Sequence, residues 1–269
     1  MLRSVERIAD PRDPRIAAYS RMADSELVRS RGLFVAEGRF VVRRVIESGR
    51  YVVRSLLVND AALRDLESAV DALGAAVPVY VCETAAFLGI TGFDIHRGCL
   101  AFVERPVSRS TGDVLARSTA VVVLEGVANP DNVGGVFRNA AAFDASVILS
   151  PTCCDPFYRK AIRTSMGAIL GVPFARAEAW PGALTEVRAA GFTVVALTPR
   201  APSVDIRSWQ GGRDRIALLV GTEGAGLSPD AESIADVRVR IPVTDAVDSL
   251  NLAVAVGIAL FALRGVRPV

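Results

Sequence analysis

The sequence predicts an α/β protein of two parts, and three observations carry that expectation. Short apolar runs alternate with amphipathic stretches along most of the 269 residues. In the second half these runs are apolar throughout, as in "AVVVLEG" (120–126) and "IALLVG" (216–221), the mark of parallel strands covered on both faces. Between the halves, "RPVSRSTGDVLARST" (105–119) loses periodicity and gathers Pro, Gly, Ser and Thr, which reads as a linker. The length suffices for two domains with their own cores. The expected division is an N-terminal α/β domain at 1–105, a linker at 106–118 and a second α/β domain at 119–269.

In the first domain, "LFVAEG" (33–38) and "VVRSLLVN" (52–59) read as strands, with helical patterns at 39–48 and 60–73. "VPVYVC" (77–82) and "CLAFVE" (99–104) complete a small sheet. In the second domain, strands are expected at 120–126, 146–150, 192–198, 216–221 and 237–242. Helices at about 132–143, 158–170, 182–190 and 249–264 separate most of them, the alternation of a parallel sheet with helices on both faces.

Composition narrows the function classes. Apolar residues make up 51% and mean hydropathy is +0.35, which at first suits a membrane protein. Yet the most apolar run, "LNLAVAVGIALFALRG" (250–265), is interrupted by Asn251 and falls short of the roughly 20 residues a bilayer span needs, so a buried helix is expected. "MLRSVERIADPRDPR" is charged and lacks an apolar core, so a cytoplasmic protein is expected rather than a secreted one. Cys82, Cys99, Cys153 and Cys154 have no metal-ligand spacing, so reduced structural thiols and no metal site are expected. Net charge is +2 and nearly even along the chain, against a protein that coats polyanions indiscriminately. Lys160 is the only lysine and His96 the only histidine.

In α/β sheets ligands sit beyond the carboxyl ends of strands, and three such loops stand out. In "VANPDNVGGVFRNAAAFDAS" (127–146), Asn132 is expected to cap the helix that follows. Gly134 and Gly135 permit close approach, Val133, Val136, Phe137, Ala140 and Phe143 form a buried stripe, and Arg138 lies off it, free to point into the cleft. "LVGTEGAGLSPD" (219–230) ends a strand in Gly221, Gly224 and Gly226 around one carboxylate, Glu223; it is neither a G-x-G-x-x-G fingerprint nor a P-loop. In "RIPVTDAVDSLNLAVAVGIALF" (240–261) a strand ends at Ile241-Pro242 and Ser249 is expected to cap the last helix. Asn251 sits one turn in, and because an unpaired buried amide costs about 1–3 kcal/mol it must have a partner.

Asn132 with Arg138, the Gly221–Glu223 glycine turn, and Ser249-Leu-Asn251, in this order at strand ends of one domain, resemble the SPOUT superfamily, specifically the SpoU/TrmH-type RNA 2′-O-ribose methyltransferases, over about 119–264. "RGLFVAEGRFVVRRVIESG" (31–49) is similar to the RNA-binding domain that precedes the catalytic domain in that family. The resemblance implies a mostly parallel sheet tied into a deep trefoil knot whose loops hold S-adenosylmethionine, with Leu197, Thr198, Gly221, Ile241 and Leu250 at the cofactor. It places Arg138 nearest the reacting ribose, with Asn132, Glu223, Ser249 and Asn251 orienting it and Glu223 able to pair with the guanidinium. The family often assigns this arginine the base; a guanidinium stays protonated in proteins, so clamping the adjacent phosphate is the alternative. Arg39, Arg43 and Arg44 of the first domain and Lys160, Arg163 and Ser165 of "YRKAIRTSMGA" (158–168) are the implied phosphate contacts. A homodimer and an RNA substrate, ribosomal before transfer RNA, are implied as well. Alternatives are a tRNA 2′-O-methyltransferase, or an RNA-binding protein of the same fold without catalysis. Asp245, Val243 and Ala253 depart from the family's usual glycine, methionine and serine, and Asp245 adds negative charge beside the expected cofactor loop.

Overall fold

The apolar runs become strands in both halves of the computed structural model, which describes residues 5–20, 24–91, 98–211 and 214–264. In chain order the first elements are β1 (Val5–Arg7), a 3-10 turn (Pro14–Tyr19), α1 (Asp24–Ser30), β2 (Leu33–Glu37), α2 (Arg39–Glu47) and β3 (Val53–Val58). Then come α3 (Asp60–Asp65), α4 (Glu67–Asp71), β4 (Val79–Val81), α5 (Thr84–Thr91) and β5 (Cys99–Glu104). The second half begins with α6 (Thr111–Ala116), β6 (Ala120–Leu124), α7 (Pro130–Ala142), β7 (Ser146–Leu149) and α8 (Arg159–Thr164). After a second 3-10 turn (Ala168–Leu170) follow β8 (Phe174–Arg176), α9 (Gly182–Ala189), β9 (Thr193–Leu197) and β10 (Val204–Asp205). The chain closes with β11 (Ile216–Val220), α10 (Pro229–Ile234), β12 (Val237–Arg240) and α11 (Leu252–Arg264).

The contacts divide the chain into two units: Met1–Val107 with Phe157–Leu170, and Ser108–Pro156 with Gly171–Val269. Two features depart from the expected division. The stretch 106–118, read as a linker, contains α6, because its Ser and Asp form a capping box: the Asp113 amide donates to Ser110 Oγ at 3.0 Å and the Ser110 amide donates to Asp113 Oδ2 at 3.3 Å. Val114 and Leu115 of that helix are buried in the core of the second unit. The other departure is the excursion Phe157–Leu170, which packs as part of the first unit.

The first unit carries a five-stranded sheet in the order β1-β4-β3-β5-β2, with β5 antiparallel to β2 and β3, and β4 parallel to β1 and β3. The Phe157 ring stacks on Phe34 with centroids 4.8 Å apart, and Arg159 Nε donates to Asp24 at 2.7 Å. Tyr51 Oη donates to the Leu170 carbonyl at 2.8 Å. The single helix expected at 158–170 is broken at Met166 and Gly167, whose φ angles of 52° and 71° are left-handed and stop α8 before the 3-10 turn.

The second unit carries a seven-stranded sheet in the order β10-β12-β9-β11-β6-β7-β8, parallel at every pairing. All five residues of β6 and of β11 are buried, as continuous apolar runs require. Strand periodicity sends Val121, Val123, Val194 and Leu219 to one face, where Leu115, Leu184 and Ala231 from α6, α9 and α10 cover them. On the other face α7 and α11 pack on the sheet and on each other. Their approach is close: a Cβ on Gly135 would lie 2.6 Å from the Ala253 Cβ, and Asn139 Nδ2 donates to the Ala253 carbonyl at 2.6 Å. Arg264 donates to the Phe143 and Asp144 carbonyls at 2.6 and 2.5 Å, tying the end of α11 to the end of α7. The close approach that Gly135 was expected to permit is that of α11.

The apolar run at 250–265 is α11, which buries Leu252, Val256, Ala259, Leu260 and Leu263. Among the described residues no helix is long and apolar enough to cross a membrane. All four cysteines are free and buried, and burial pushes the Cys82 thiol up to about 11 and Cys99 to about 12. His96 lies outside the described residues.

Candidate active site

Three loops at the carboxyl edge of the parallel sheet build the site. After β6, Asn129 and not Asn132 caps α7: its side chain accepts from the Asp131 amide at 2.9 Å, and Pro130 opens the helix. Asn132 is thereby placed inside the first turn and is buried, at 3% exposure. Val133, Val136, Phe137 and Ala140 form the buried stripe as expected, whereas Phe143 is the C-cap and only half-buried.

After β11 the glycine loop folds back on itself. The Gly226 amide donates to the Thr222 carbonyl at 3.0 Å, and φ is 84° at Gly224 and 71° at Gly226, values suited to glycine. A Cβ on Gly221 would lie 2.2 Å from the Gly226 carbonyl carbon, so the returning loop itself demands glycine there. Arg200 clamps the loop from outside, donating to the carbonyls of Leu227, at 3.2 Å, and Ala225. Ser228 caps α10 and anchors Glu125, its amide donating to Oε2 at 2.8 Å and its hydroxyl to Oε1 at 2.6 Å. Trp180 Nε1 donates to the same Glu125 oxygen at 2.7 Å, so the loops after β6 and β11 are locked together.

After β12 the chain runs through an exposed loop to α11, which begins at Leu252. Its cap is Asn251 and not Ser249: Asn251 Oδ1 accepts from the amides of Ala253 at 3.0 Å and Val254 at 3.3 Å. With Oδ1 committed to the helix, Nδ2 is free to donate, to Asn132 Oδ1 at 2.9 Å and to Glu223 Oε1 at 3.4 Å. One amide thus joins residues from all three loops, which supplies the partner Asn251 was expected to need.

Beside this junction opens a cleft of about 640 Å³, within the usual range for small-molecule sites. Leu197, Thr198, Gly221, Ile241 and Leu250 all line it, together with Glu223, Ser249 and Asn251. Asn132 sits behind Asn251 and does not line it. Arg138 stands apart. Six residues beyond Asn132, it is rotated about 120° around α7, exposed, and among the described residues has no hydrogen-bond or ion-pair partner. The expected Glu223–Arg138 pair is not formed, because Glu223 is held by Asn251 on the cleft side. Asp245 is exposed and off the lining; Val243 and Asp248 are on it.

The other expected contacts lie in the first unit. Arg39 is half-buried, Arg43 donates to the Asp65 carbonyl and faces the Asp65 carboxylate at 3.5 Å, and Arg44 is exposed. Lys160 is exposed, and Arg163 lies 3.7 Å from the buried Glu37 carboxylate. Ser165 is a correction: it is 1% exposed and its hydroxyl donates to the Ile162 carbonyl at 2.9 Å, so it cannot meet a phosphate.

Sequence reasoning missed Glu125, Arg200 and Asp248. A lone acid closing an otherwise apolar strand was a usable sign for Glu125, and Ser-Pro opening a helix was one for Ser228. Nothing local marks Arg200, whose loop contacts are long-range.

Comparison with known proteins now bears on the arrangement. The model of the SpoU rRNA methylase family matches residues 119–261, which include every residue of the amide junction. The chain belongs to the SpoU rRNA methylase family. An uncharacterised tRNA/rRNA methyltransferase of Mycobacterium bovis is 38% identical over 96% of this chain and 91% of its own. The 23S rRNA (guanosine(2553)-2′-O)-methyltransferase RlmP of Bacillus subtilis is 29% identical over 86% of this chain and 88% of its own. The crystal structure of an AdoMet-bound rRNA methyltransferase from Sinorhizobium meliloti matches with a TM-score of 0.82 and 28% identity, covering 96% of this chain and 97% of that one. Similarity to SpoU proteins thus spans both units and is not confined to the parallel sheet.

Proposed function

We propose that this protein is an S-adenosylmethionine-dependent RNA 2′-O-methyltransferase acting on ribosomal RNA in the cytoplasm. The observation that carries the reading is the Asn251 amide, which joins Asn132 and Glu223 at the mouth of the cleft. The cleft fits the cofactor in size, and in chemistry: apolar walls from Leu197, Val220, Ile241 and Leu250 suit the adenine, and strand-end backbone suits its polar edges. The loops that form it, Gly221–Gly226 and Ile241–Leu250, are the proposed knot crossing.

Bound there, the cofactor supplies a methyl group on a cationic sulfur. The protein's part is to hold a ribose 2′-oxygen in line with that methyl, and positioning of this kind supplies much of the rate. Asn251 and Glu223 offer a donor and an acceptor at the mouth, and Ser249 adds a hydroxyl. Arg138 acts as a fixed cation that grips the adjoining phosphate and offsets negative charge developing on the oxygen. Arg39, Arg44, Lys160 and Arg163 are the proposed phosphate contacts of an RNA-binding first unit, so affinity for RNA falls as salt rises. The excursion Phe157–Leu170 carries two of them.

The test is transfer of labelled methyl from S-adenosylmethionine to total RNA lacking the modification, followed by mapping of 2′-O-methyl positions. Label at one site in ribosomal RNA is expected. Label in tRNA alone moves the substrate, and no label with either RNA sinks the activity.

A homodimer is part of the same proposal. Val254, Ile258 and Phe261 recur at helical spacing along α11 and are 51%, 40% and 59% exposed, a stripe that a second copy would cover. Arg138 occupies the exposed side of the neighbouring α7. Sedimentation is expected to give twice the 28.5 kDa chain mass, and Ile258→Asp with Phe261→Asp to give the monomer. A wild-type monomer at micromolar concentration would remove the dimer.

A further inference from the structure

Among the described residues, the cleft lining carries two ionisable side chains, Glu223 and Asp248, and no lysine, arginine or histidine. The cation nearest the glycine loop, Arg200, sits behind that loop, spent on its carbonyls and 3.8 Å from the Glu232 carboxylate. Asp248 is exposed and among the described residues makes no hydrogen bond or ion pair, so no structural contact accounts for its charge. The described walls of the pocket therefore carry two carboxylates and no cationic side chain.

That imbalance matters for ligand choice. S-adenosylmethionine carries a sulfonium, an ammonium and a carboxylate, a net single positive charge. In the reaction the ribose oxygen forms a bond to the methyl carbon while the carbon–sulfur bond breaks. The bonding pair stays on sulfur, and the hydroxyl proton passes to solvent water. S-adenosylhomocysteine remains, a neutral zwitterion of nearly the same shape. Apolar and hydrogen-bond contacts cannot separate the two; a field acting on the sulfonium can.

Resting on the cofactor reading above, we propose that the cleft sorts its occupants by charge, with Asp248 the specificity-determining residue that favours S-adenosylmethionine over S-adenosylhomocysteine and so limits product inhibition. In a solvent-filled cleft, one carboxylate acting on a cation across about 6 Å of high-dielectric medium would change affinity by about threefold.

Calorimetric titration of the full-length protein with each ligand, at low and high salt, tests this. In Asp248→Asn the dissociation constant for S-adenosylmethionine is expected to rise about threefold with that for S-adenosylhomocysteine unmoved, and Asp248→Glu to restore the difference. In the wild type, salt should erode the preference. An unchanged melting temperature is expected, because Asp248 holds no partner. Equal weakening of both ligands, or no change in their ratio, overturns the charge selection alone. A wild-type protein that binds neither overturns the cofactor reading itself.

Discussion

Arg138→Ala is expected to abolish methyl transfer, by at least about a hundredfold, while cofactor affinity stays within about twofold of wild type. Both halves follow from its position. Arg138 is off the lining of the cleft, so removing it takes nothing from the bound cofactor. It is exposed and unpaired among the described residues, so the helix and its packing on α11 survive the change. What is lost is a cation that makes no ion pair among the described residues and is open to a group outside the chain. Arg138→Lys separates charge from geometry: a lysine keeps the charge but not the planar fork, and partial activity is expected. Single-turnover transfer to RNA, read beside calorimetric cofactor binding, distinguishes these outcomes. Near-wild-type turnover in Arg138→Ala would sink the assignment, and loss of cofactor binding would mean that the residue acts through the fold.

Much of this arrangement is legible in the sequence. β6, β9 and β11 are continuous apolar runs of the kind expected of doubly covered strands, and the five residues that the resemblance implied at the cofactor all line one cleft beyond the strand ends. The misses share a cause. "NPDN" and "SLN" each offer more than one residue able to cap a helix, and local propensity cannot choose among them. The choice fell to the residue whose partner left the other free for a long-range bond: Asn129 capping released Asn132, and Asn251 capping committed one end of an amide whose other end spans 119 residues. Ser165 failed for the opposite reason, since a hydroxyl beside arginines looks available until a turn buries it on its own backbone. Residues 106–118 read as a linker because capping chemistry and loop chemistry use the same Ser, Thr and Asp. Gly221 lines the cleft as the resemblance implied, while the need for glycine there comes from the returning backbone at Gly226.

Asn251→Asp isolates the amide junction from the helix it caps. Asp and Asn are equally good N-caps, and a carboxylate also suits the positive end of the α11 dipole. The two amide donors now bonded to Oδ1 keep an acceptor, so a melting temperature close to wild type is expected. Asn132 can turn its own amide to donate to the new carboxylate, avoiding a buried unsatisfied group. Glu223 has no such escape. A donor at 3.4 Å becomes a like charge, and the exposed glutamate swings away from the cleft mouth. Methyl transfer is therefore expected to fall at least tenfold with RNA binding little changed. Asn251→Ala, by contrast, loses cap and junction together and should cost about 1 kcal/mol of stability as well as the activity. The pair of variants makes the distinction that neither makes alone. If the aspartate variant were stable and fully active, Asn251 would be a helix cap that happens to face a cleft. If it were stable and inactive, holding Asn132 and Glu223 in one place would be its function, with capping the reason it can hold them still.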